Sequence, residues 1–467
     1  MRFFNFIRYI RDEVAAISAF VLIMFLTMIV GGGMGIDFMY HESERSSLQD
    51  ALDRGVLAAA SFEVADRAGV DLEARVVSYL RSNELLARRN PTLNITTDVN
   101  PFSRRITVDG SYEIDTFFLK LIGINTLTVS GSATARTSRG KVEIALVLDN
   151  SGSMYGEKMD KLTDAANNFI DMMITPESAS YTTMSIVPFS STVNAGEMFS
   201  SYYNLNEWHD YSYCFEFVDA DFYTTTLLPS DLYEQGQHLL YGEFNGEDVY
   251  ECAESPIFAF SNNRLDLRDS VNNMVAAGNT STWAGMKWGA ALLDPRTRPV
   301  VAGMIADNRV APIFADRPLE WNDPLGTKFI VMMTDGENTD HFVLEDTLTG
   351  YNSENTVPWN SQENADYWDT NVFYTADIDA DESVDGVLGD ARLFEICDAA
   401  KADIPGTNRD RIIIFTIGFD VAIGSNPYNM MRDCASSVSK FYHVDDAGLN
   451  SAFTQIARAI NKLRLVD

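Results

Sequence analysis

The sequence predicts an α/β fold: a doubly wound, mostly parallel sheet preceded by one transmembrane helix, a long helix and a small β unit. Apolar stretches that suit buried strands alternate with helical stretches from residue 141 onward, and this alternation is typical of such sheets. An uncharged run of 23 residues near the start is long enough to cross a bilayer. Between these two parts lie β-branched, alternating runs that are typical of antiparallel strands.

The anchor is predicted from the uncharged run that begins at Val14 and ends at Ile36. Arg2, Arg8 and Arg11 precede this run and acidic residues follow it, so the positive-inside rule keeps the amino terminus in the cytoplasm. We therefore expect a single-pass protein of the inner (cytoplasmic) membrane whose C-terminal domain is periplasmic or otherwise extracytoplasmic. The alternative, a cleavable signal peptide, would have a shorter apolar core with a small-residue cleavage site directly behind it.

Three regions follow from these patterns. They are a cytoplasmic tail and transmembrane anchor at residues 1–38, a helix with a small β unit at 39–138, and the large α/β domain at 141–464. After the anchor, Leu48, Leu52 and Val56 recur at helical spacing on a polar background, which predicts one long amphipathic helix. Asn90-Pro91 ends that helix, and the runs from 92 to 137 predict the antiparallel unit.

Further elements are predicted within the large domain. We expect helices at 158–173, 265–275, 282–293, 391–402 and near 428–436, strands at 183–189, 328–334, 411–418 and 440–444, and a closing helix with Leu449, Phe453, Ile456 and Ile460 on one face. An insertion at about 190–262 is rich in aromatic residues, which more often build a core than a ligand groove. A second insertion, at 340–390, holds thirteen acidic residues and no Lys or Arg. This composition favours a solvated acidic loop over a calcium loop at Asp377, Asp379 and Asp381.

The stretch V-E-I-A-L-V-L-D-N-S-G-S-M, residues 142–154, carries the clearest chemical signal. It predicts a buried strand that ends at Asp149, followed by a turn with Ser151 and Ser153. Open α/β sheets bind ligands at the carboxyl ends of their strands. A carboxylate and two hydroxyls are hard oxygen ligands of the kind that Mg²⁺, Mn²⁺ or Ca²⁺ prefer. The alternative is a plain turn in which these side chains cap the next helix.

Two later stretches offer further oxygen ligands. The loop G-N-T-S-T, residues 278–282, carries Thr280, and a second buried strand ends in T-D-G with Asp335. The order D-x-S-x-S, G-x-T and T-D-G resembles the metal-ion-dependent adhesion site of von Willebrand factor type A domains.

This resemblance implies a von Willebrand factor A-like fold with one divalent cation, most naturally Mg²⁺, with Mn²⁺ or Ca²⁺ as alternatives. It implies that Ser151 and Ser153 bind the ion directly and that Thr280 does so directly or through water. Asp149 and Asp335 would hold the coordinated waters. A protein partner would then supply an acidic residue as the last ligand.

The N-terminal region carries a second resemblance. Its arginines and single span, the helix S-L-Q-D-A-L-D-R-G-V-L-A-A-A at 47–60 and the segment F-L-K-L-I-G-I at 118–124 resemble the N-terminal region of TadG-like proteins of the Tad (Flp) pilus-assembly system. T-D-G-E-N-T at 334–339, I-F-T-I-G-F at 414–419 and the final A-F-T-Q-I-A helix are similar to the A-type domain of that family. The resemblance implies a role in pilus assembly or surface attachment, with pilus or envelope components as partners.

The cysteines form no C-x-x-C pair, so zinc ribbons and thioredoxin-like redox chemistry are not supported. An even number of cysteines in an exported domain suggests disulfides. Cys214 and Cys252 bracket part of one insertion, whereas Cys397 and Cys434 flank a predicted strand. These two pairings are therefore favoured over the other two connectivities, and four buried free thiols remain the alternative.

Composition and missing motifs exclude several function classes. A net charge of -32 argues against nucleic acid as a partner. Neither Ser151 nor Ser153 lies in G-x-S-x-G, the histidines offer no motif-backed base, and G-x-x-x-x-G-K-[ST] is absent. We therefore predict that the protein is not an enzyme. The leading hypothesis is a membrane-anchored, metal-dependent adhesion-type protein. A structural pilus or envelope component whose metal only rigidifies the loops and, third, a metal-dependent hydrolase are the alternatives.

Overall fold

A computed structural model describes residues 13–60, 74, 77–78, 81, 84–99, 103–138, 140–207, 209–236, 240–244, 247–341, 384–407, 409–445 and 447–463. The chain divides into two compact units, Met1–Ser138 and Arg139–Asp467. The predicted cytoplasmic tail, most of the predicted helix between 61 and 83 and most of the acidic insertion, with Asp377, Asp379 and Asp381, lie outside the described residues.

The N-terminal unit begins with one long helix, α1 (Glu13–Ala60), of 48 residues. Most of its large apolar side chains between residues 17 and 39 are exposed. By length and composition this helix could cross a membrane. Farther along, Leu48, Leu52 and Val56 are buried. One continuous helix therefore carries both the candidate membrane anchor and a face that packs against protein.

A three-stranded antiparallel sheet covers the buried face of α1. After a short helix, α2 (Glu84–Arg89), the strands are β1 (Thr92–Val99), β2 (Ser103–Asp115) and β3 (Thr126–Ser138). Alternate residues of β2, among them Ile106 and Val108, pack with Val129 of β3 against the helix. This period of two is what a sheet with one buried face requires. The antiparallel β unit expected from the sequence is present.

The C-terminal unit is built on a six-stranded sheet. The strands of this unit are β4 (Lys141–Asp149), β5 (Thr182–Phe189), β6 (Asn204–Asn206), β7 (Phe215–Glu216), β8 (Leu232–Gln235), β9 (Leu240–Phe244), β10 (Glu247–Tyr250), β11 (Phe258–Ser261), β12 (Gly326–Thr334), β13 (Ile413–Phe419) and β14 (Phe441–Val444). Strands β6 to β10 form two smaller sheets, whereas the order in the six-stranded sheet is β11-β5-β4-β12-β13-β14. Strand β11 pairs antiparallel with β5, and the other neighbours in this sheet pair in parallel. The carboxyl ends of β4 and β12 therefore lie side by side.

Helices pack on both faces of this sheet. They are α3 (Glu157–Met173), α4 (Glu197–Ser200), α5 (Arg264–Asn272), α6 (Thr282–Ala291), α7 (Arg298–Ala306), α8 (Gly386–Lys401), α9 (Asn426–Cys434) and α10 (Leu449–Leu463). Ala145 and Val147 of β4 share a core with α6, α7, α8 and α9, whereas Ile144 and Leu146 share one with α3, α5 and α10. Because both faces are covered, the central strands β4 and β12 are mostly apolar along their length. Their buried charges, Glu143 and Lys328, pair with each other at 2.5 Å.

The aromatic insertion forms part of the main core. Tyr203, Phe215 and Phe217 surround the ring of Trp288 on α6 at centroid distances of 5.9, 5.1 and 6.1 Å. Beside them the buried ammonium of Lys287 donates to three backbone carbonyls of the insertion. Burial lowers the pKa of Lys287 to about 8. The insertion is therefore fastened to α6 by both apolar and polar contacts.

Several predicted boundaries need correction. Strand β11 lies within the predicted insertion at 190–262 and is an edge strand of the main sheet. Helix α8 starts at Gly386 rather than at 391, because the side chain of Asp385 accepts from the backbone N–H of Leu388 and caps it. No sequence pattern predicts helices α4 and α7 or the short strands β6 to β10. The helices and strands that were predicted in the C-terminal unit otherwise begin and end within a few residues of their predicted bounds.

Both predicted disulfides are confirmed. Cys214 pairs with Cys252, and Cys397 pairs with Cys434. The first holds two parts of the aromatic insertion together, and the second joins α8 to α9. Among the described residues there is no free cysteine.

Candidate metal centre

The ends of two neighbouring strands bring two carboxylates together. Asp149 is the last residue of β4, and Asp335 follows the last residue of β12. The two strands run in parallel, with Leu148 opposite Met333. Thr334 donates from its hydroxyl to Asp149 Oδ2 at 2.5 Å, which ties one strand end to the other. Both carboxylates are withdrawn from solvent, with 0% exposure for Asp149 and for the side chain of Asp335.

The turn after β4 places two serine hydroxyls at this edge. The backbone N–H of Ser151 donates to Asp149 Oδ1 at 2.8 Å, which fixes the direction of the turn. The hydroxyl oxygens of Ser151 and Ser153 lie 3.1 Å apart. Ser153 also donates to Asp335 Oδ1 at 2.6 Å. Ser151 is buried and Ser153 is exposed, so the group opens to solvent at Ser153.

The loop before α6 supplies the third hydroxyl. It is held against the serine turn by a backbone hydrogen bond of 2.9 Å from Gly152 N–H to the carbonyl of Gly278. Gly278 has a φ of +77°, and an added Cβ would lie 2.8 Å from Ser191 Oγ. A side chain there would be strained and crowded. An added Cβ at Gly336 would lie 3.8 Å from both Ser153 Oγ and Thr280 Oγ1, so these hydroxyls are no farther apart than twice that distance.

A network of hydrogen bonds from the segment after β12 holds the Thr280 loop in place. Thr280 and Thr339 exchange two bonds, one from Thr280 N–H to Thr339 Oγ1 at 2.8 Å and one from Thr339 N–H to the Thr280 carbonyl at 2.9 Å. The amide oxygen of Asn338 accepts from the N–H and the hydroxyl of Thr282. Its amide nitrogen donates to Asp390 on α8. The segment after Asp335 therefore positions the loop that carries Thr280.

Lys158, on the first turn of α3, is the cation nearest to the carboxylates. Its ammonium donates to Asp335 Oδ2 at 2.6 Å and lies 3.8 Å from Asp420 Oδ2. Both oxygens of Asp335 are thus engaged, one by Ser153 and one by Lys158. Burial raises the pKa of Asp149 to about 6, to which the negative charge of Asp335 contributes, whereas hydrogen bonds from Ser151 and Thr334 act in the opposite direction. Lys158 therefore pairs with one member, Asp335, of two buried carboxylates whose negative charges repel each other.

These oxygens fit the requirements of a hard divalent cation. In an octahedral shell with bonds of about 2.1 Å, neighbouring ligand oxygens lie about 3 Å apart. The separation of 3.1 Å between the hydroxyl oxygens of Ser151 and Ser153, the two groups expected to bind the ion directly, is close to that value. In the part of the chain that the structure describes, no three His, Cys, Asp or Glu side chains are grouped to hold a metal. A metal site at this edge therefore has to use hydroxyls as well as carboxylates.

All five residues predicted from the sequence, Asp149, Ser151, Ser153, Thr280 and Asp335, lie at this edge of the sheet. Three further residues contact this group without being expected from the sequence: Lys158, Thr334 and Asn338. Thr334 could have been found, because it precedes Asp335 at the end of a strand predicted to neighbour β4. Lys158 and Asn338 carry no such signal, since their roles depend on contacts with distant parts of the chain.

Comparisons with known proteins give one family match and several distant structural likenesses. Residues 15–61 match the family described as putative Flp pilus-assembly TadE/G-like. A search of curated proteins found no match.

Three solved structures illustrate the likenesses. The vWF domain of the type V pili tip protein Mfa5 from Porphyromonas gingivalis is 14% identical with a TM-score of 0.37, over 70% of this chain and 97% of that one. The PilB minor pilin from Streptococcus sanguinis is 12% identical with a TM-score of 0.33, over 80% of each chain. Proximal thread matrix protein 1 from the mussel byssus is 11% identical with a TM-score of 0.29, over 69% of this chain and 46% of that one. At these scores the likenesses carry no argument about function.

Proposed function

We propose that this protein is a membrane-anchored component of Tad-type pilus assembly or surface attachment whose C-terminal unit is a von Willebrand factor A-like domain that binds a protein partner through a divalent cation. The pilus role is supported by the match of residues 15–61 to the TadE/G-like family. The convergence of two buried carboxylates and three hydroxyls at the carboxyl edge of a largely parallel sheet carries the binding role.

Ser151, Ser153 and Thr280 would hold the cation, and Asp149 and Asp335 would neutralise it and orient its waters. A bound Mg²⁺ supplies a hard Lewis-acidic centre that can take a carboxylate from another protein. The chain supplies few direct ligands, and the exposed side of Ser153 leaves room for a partner's Asp or Glu. The hydroxyl of Ser153 donates to Asp335, but the other oxygen of that carboxylate accepts from Lys158, so the group is engaged in an ion pair rather than open as a general base, which favours binding over catalysis.

The metal hypothesis is tested by titration calorimetry with Mn²⁺ on the purified full chain. We expect one site in the wild type and none in Asp149→Ala, because the substitution removes a buried carboxylate that compensates the cation. Asp164→Ala is the matched control, since Asp164 lies on α3 with its side chain exposed. Equal affinities in the wild type and Asp149→Ala would remove this edge of the sheet from consideration.

The partner hypothesis is tested in cells by replacing both serines with alanine at normal protein levels. We expect Ser151→Ala with Ser153→Ala to abolish piliation or surface adherence. A matched control is Ser437→Ala with Ser439→Ala, because the half-buried Ser437 and the exposed Ser439 also stand two residues apart with hydroxyl oxygens separated by 3.0 Å. Normal pili and adherence would overturn the partner hypothesis. Loss of folding without metal would instead favour a structural component whose cation only rigidifies the loops.

A further inference from the structure

The connection between β2 and β3, residues 116–125, displays a group of apolar side chains. Four large residues on this apolar loop are exposed: Phe117 by 57%, Leu121 by 65%, Ile122 by 51% and Ile124 by 43%. Their exposure contrasts with β2 and β3, which bury their apolar residues against α1. A cluster of exposed apolar residues on a folded protein marks a surface that another apolar body covers.

The apolar loop is well ordered by its own hydrogen bonds. Asp37 of α1, itself only 1% exposed, accepts from the backbone N–H groups of Phe117, Phe118 and Leu119 at 2.9, 2.9 and 2.7 Å. At the neck of the loop, Thr116 N–H donates to the carbonyl of Asn125. Further backbone bonds run from Leu121 to Phe118, from Gly123 to Lys120 and from Ile124 to Leu119.

The pairing of these backbone N–H groups within the protein is compatible with a loop that is buried in lipid. Inside a bilayer an irregular backbone is tolerated only where its polar groups find partners within the protein. Seven backbone N–H groups between Thr116 and Ile124 have such partners, three of them on one carboxylate of α1.

The position of the apolar loop along α1 identifies what covers it. The ring of Phe118 packs on Gly33, where an added Cβ would lie 2.2 Å from Phe118 Cγ. The ring of Phe117 lies 5.8 Å from that of Tyr40. Gly33 is inside the uncharged run that ends at Ile36. If that run spans the bilayer, the ring in contact with Gly33 lies at bilayer depth as well.

We infer that the apolar loop inserts into the phospholipid leaflet beside α1, on the side from which the helix leaves the membrane. Phe117, Leu121, Ile122 and Ile124 contact acyl chains there. The exposed Lys120 lies in the same turn, and its flexible stem allows the ammonium to reach headgroup phosphates. The N-terminal unit thus holds the membrane by a helix and a second, independent contact. This inference does not depend on the metal site.

The test uses the full chain in phospholipid nanodiscs with a spin label at one introduced cysteine. The native cysteines are paired, so Leu121→Cys and Ile122→Cys can be labelled separately. Leu57→Cys is the matched control, because Leu57 is a 67% exposed leucine on α1 well beyond the end of the apolar run. Collision of each label with oxygen, which concentrates in lipid, is compared with collision with a water-soluble nickel chelate.

We expect labels at Leu121 and Ile122 to be severalfold more accessible to oxygen than to the chelate, and the label at Leu57 to show the reverse. Two loop positions are used so that a local folding defect at one does not decide the outcome. Chelate accessibility at both loop positions equal to that at Leu57 would overturn the inference. Protection from both reagents, or spin–spin broadening between copies, would show that protein covers the loop and would also overturn it.

Discussion

Lys158 forms an ion pair with Asp335, one of the two aspartates proposed to compensate the charge of the cation. Its ammonium is 2.6 Å from Asp335 Oδ2, and the carboxylate of Asp335 has no solvent exposure. A buried carboxylate of this kind is stabilised mainly by its ion pair, and removing one partner of such a pair is costly. The lysine can therefore support the loops without metal and, for the same reason, compete with a divalent cation for Asp335.

We expect Lys158→Met to raise the affinity for Mn²⁺ by about tenfold, which corresponds to about 1.4 kcal/mol. The substitution removes a charge that repels the cation while keeping the apolar stem of the side chain. Without metal the variant should melt at a lower temperature than the wild type, because Asp335 loses its partner. Adding Mn²⁺ should raise the melting temperature of the variant by more than it raises that of the wild type. Calorimetric titration and melting curves measure both effects.

Lys161→Met is the control for that prediction, since Lys161 lies one turn farther along α3 and forms an ion pair with the exposed Glu157 at 3.6 Å. It should bind Mn²⁺ like the wild type. An unchanged affinity in Lys158→Met would show that the ammonium does not oppose the cation.

For individual residues, the sequence could predict the location of side chains that stand at the end of a strand. Asp149 and Asp335 end neighbouring parallel strands, so their proximity follows once the strands are recognised. The role of Lys158 depends on the angle at which α3 leaves the serine turn, and no local pattern encodes that angle. Asn338 acts through Thr282 and Asp390, which are far from it in sequence.

Among the structural elements, the segment around His341 forms a clamp at the base of the acidic insertion. His341 and Val384 exchange two backbone hydrogen bonds of 3.0 and 3.1 Å, which close the ends of that insertion. The buried His341 ring lies between two carboxylates, with Nδ1 2.7 Å from Glu251 and Nε2 3.1 Å from Glu216. The clamp therefore joins the acidic insertion to the aromatic one.

The charge state of this imidazole makes the clamp sensitive to alkaline pH. Burial opposes the charged form, but the charges and hydrogen bonds of Glu216 and Glu251 outweigh it and raise the pKa of His341 to about 10. An unfolded histidine titrates near 6.5. The folded state therefore binds one more proton than the unfolded state between these values. The stabilisation is complete below about pH 6.5 and is lost as the pH rises toward 10.

We expect His341→Gln to lower the free energy of unfolding of the C-terminal unit by about 3–5 kcal/mol near pH 6, because the buried Glu251 and the half-buried Glu216 lose their cation. The deficit should shrink by about 1.4 kcal/mol per pH unit between about pH 6.5 and 10, as the wild type loses the proton. Denaturant unfolding of both proteins across this pH range measures the difference between their free energies of unfolding. The contributions of other titrating groups are common to both proteins and cancel in this difference. His443→Gln, at an exposed histidine, serves as control. A deficit that does not vary with pH would contradict the charged clamp.

Elements with a long apolar or periodic pattern could be predicted, and those shaped by tertiary contacts could not. Strand β11 is four residues long, its pairing with β5 is irregular, and Phe260 has a φ of +55°. Such a strand gives no usable period. The first turns of α8 contain Gly386 and Gly389, and glycine in the sequence argues against a helix at these positions. An added Cβ at these positions would lie 2.6 Å from the Asn338 carbonyl oxygen and 3.0 Å from Trp283, so packing explains both glycines.

At the scale of the whole molecule, the acidic composition affects which ions and partners approach the protein. The chain carries a net charge of -32, and an acidic surface raises the local concentration of cations. Its composition therefore favours loading of a cation site and disfavours association with acidic partners that the site does not recognise. The two units have separate cores.

The last prediction concerns the direction in which α1 crosses the membrane. Three arginines precede the uncharged run and acidic residues follow it, which favours a cytoplasmic amino terminus. Two disulfides in the C-terminal unit require an oxidising compartment. We therefore expect alkaline phosphatase fused after Asp467 to be active, because that enzyme also needs export to form its disulfides.

A second fusion, placed after Arg11 and before the apolar run, is the control and should be inactive. Peptide mapping of the full-length fusion without reducing agent should recover Cys214 with Cys252 and Cys397 with Cys434. The two readouts are independent, since one reports the location of the reporter and the other the redox state of the protein itself. A full-length fusion that accumulates without activity, together with four thiols open to alkylation, would place the C-terminal unit in the cytoplasm and invert the topology.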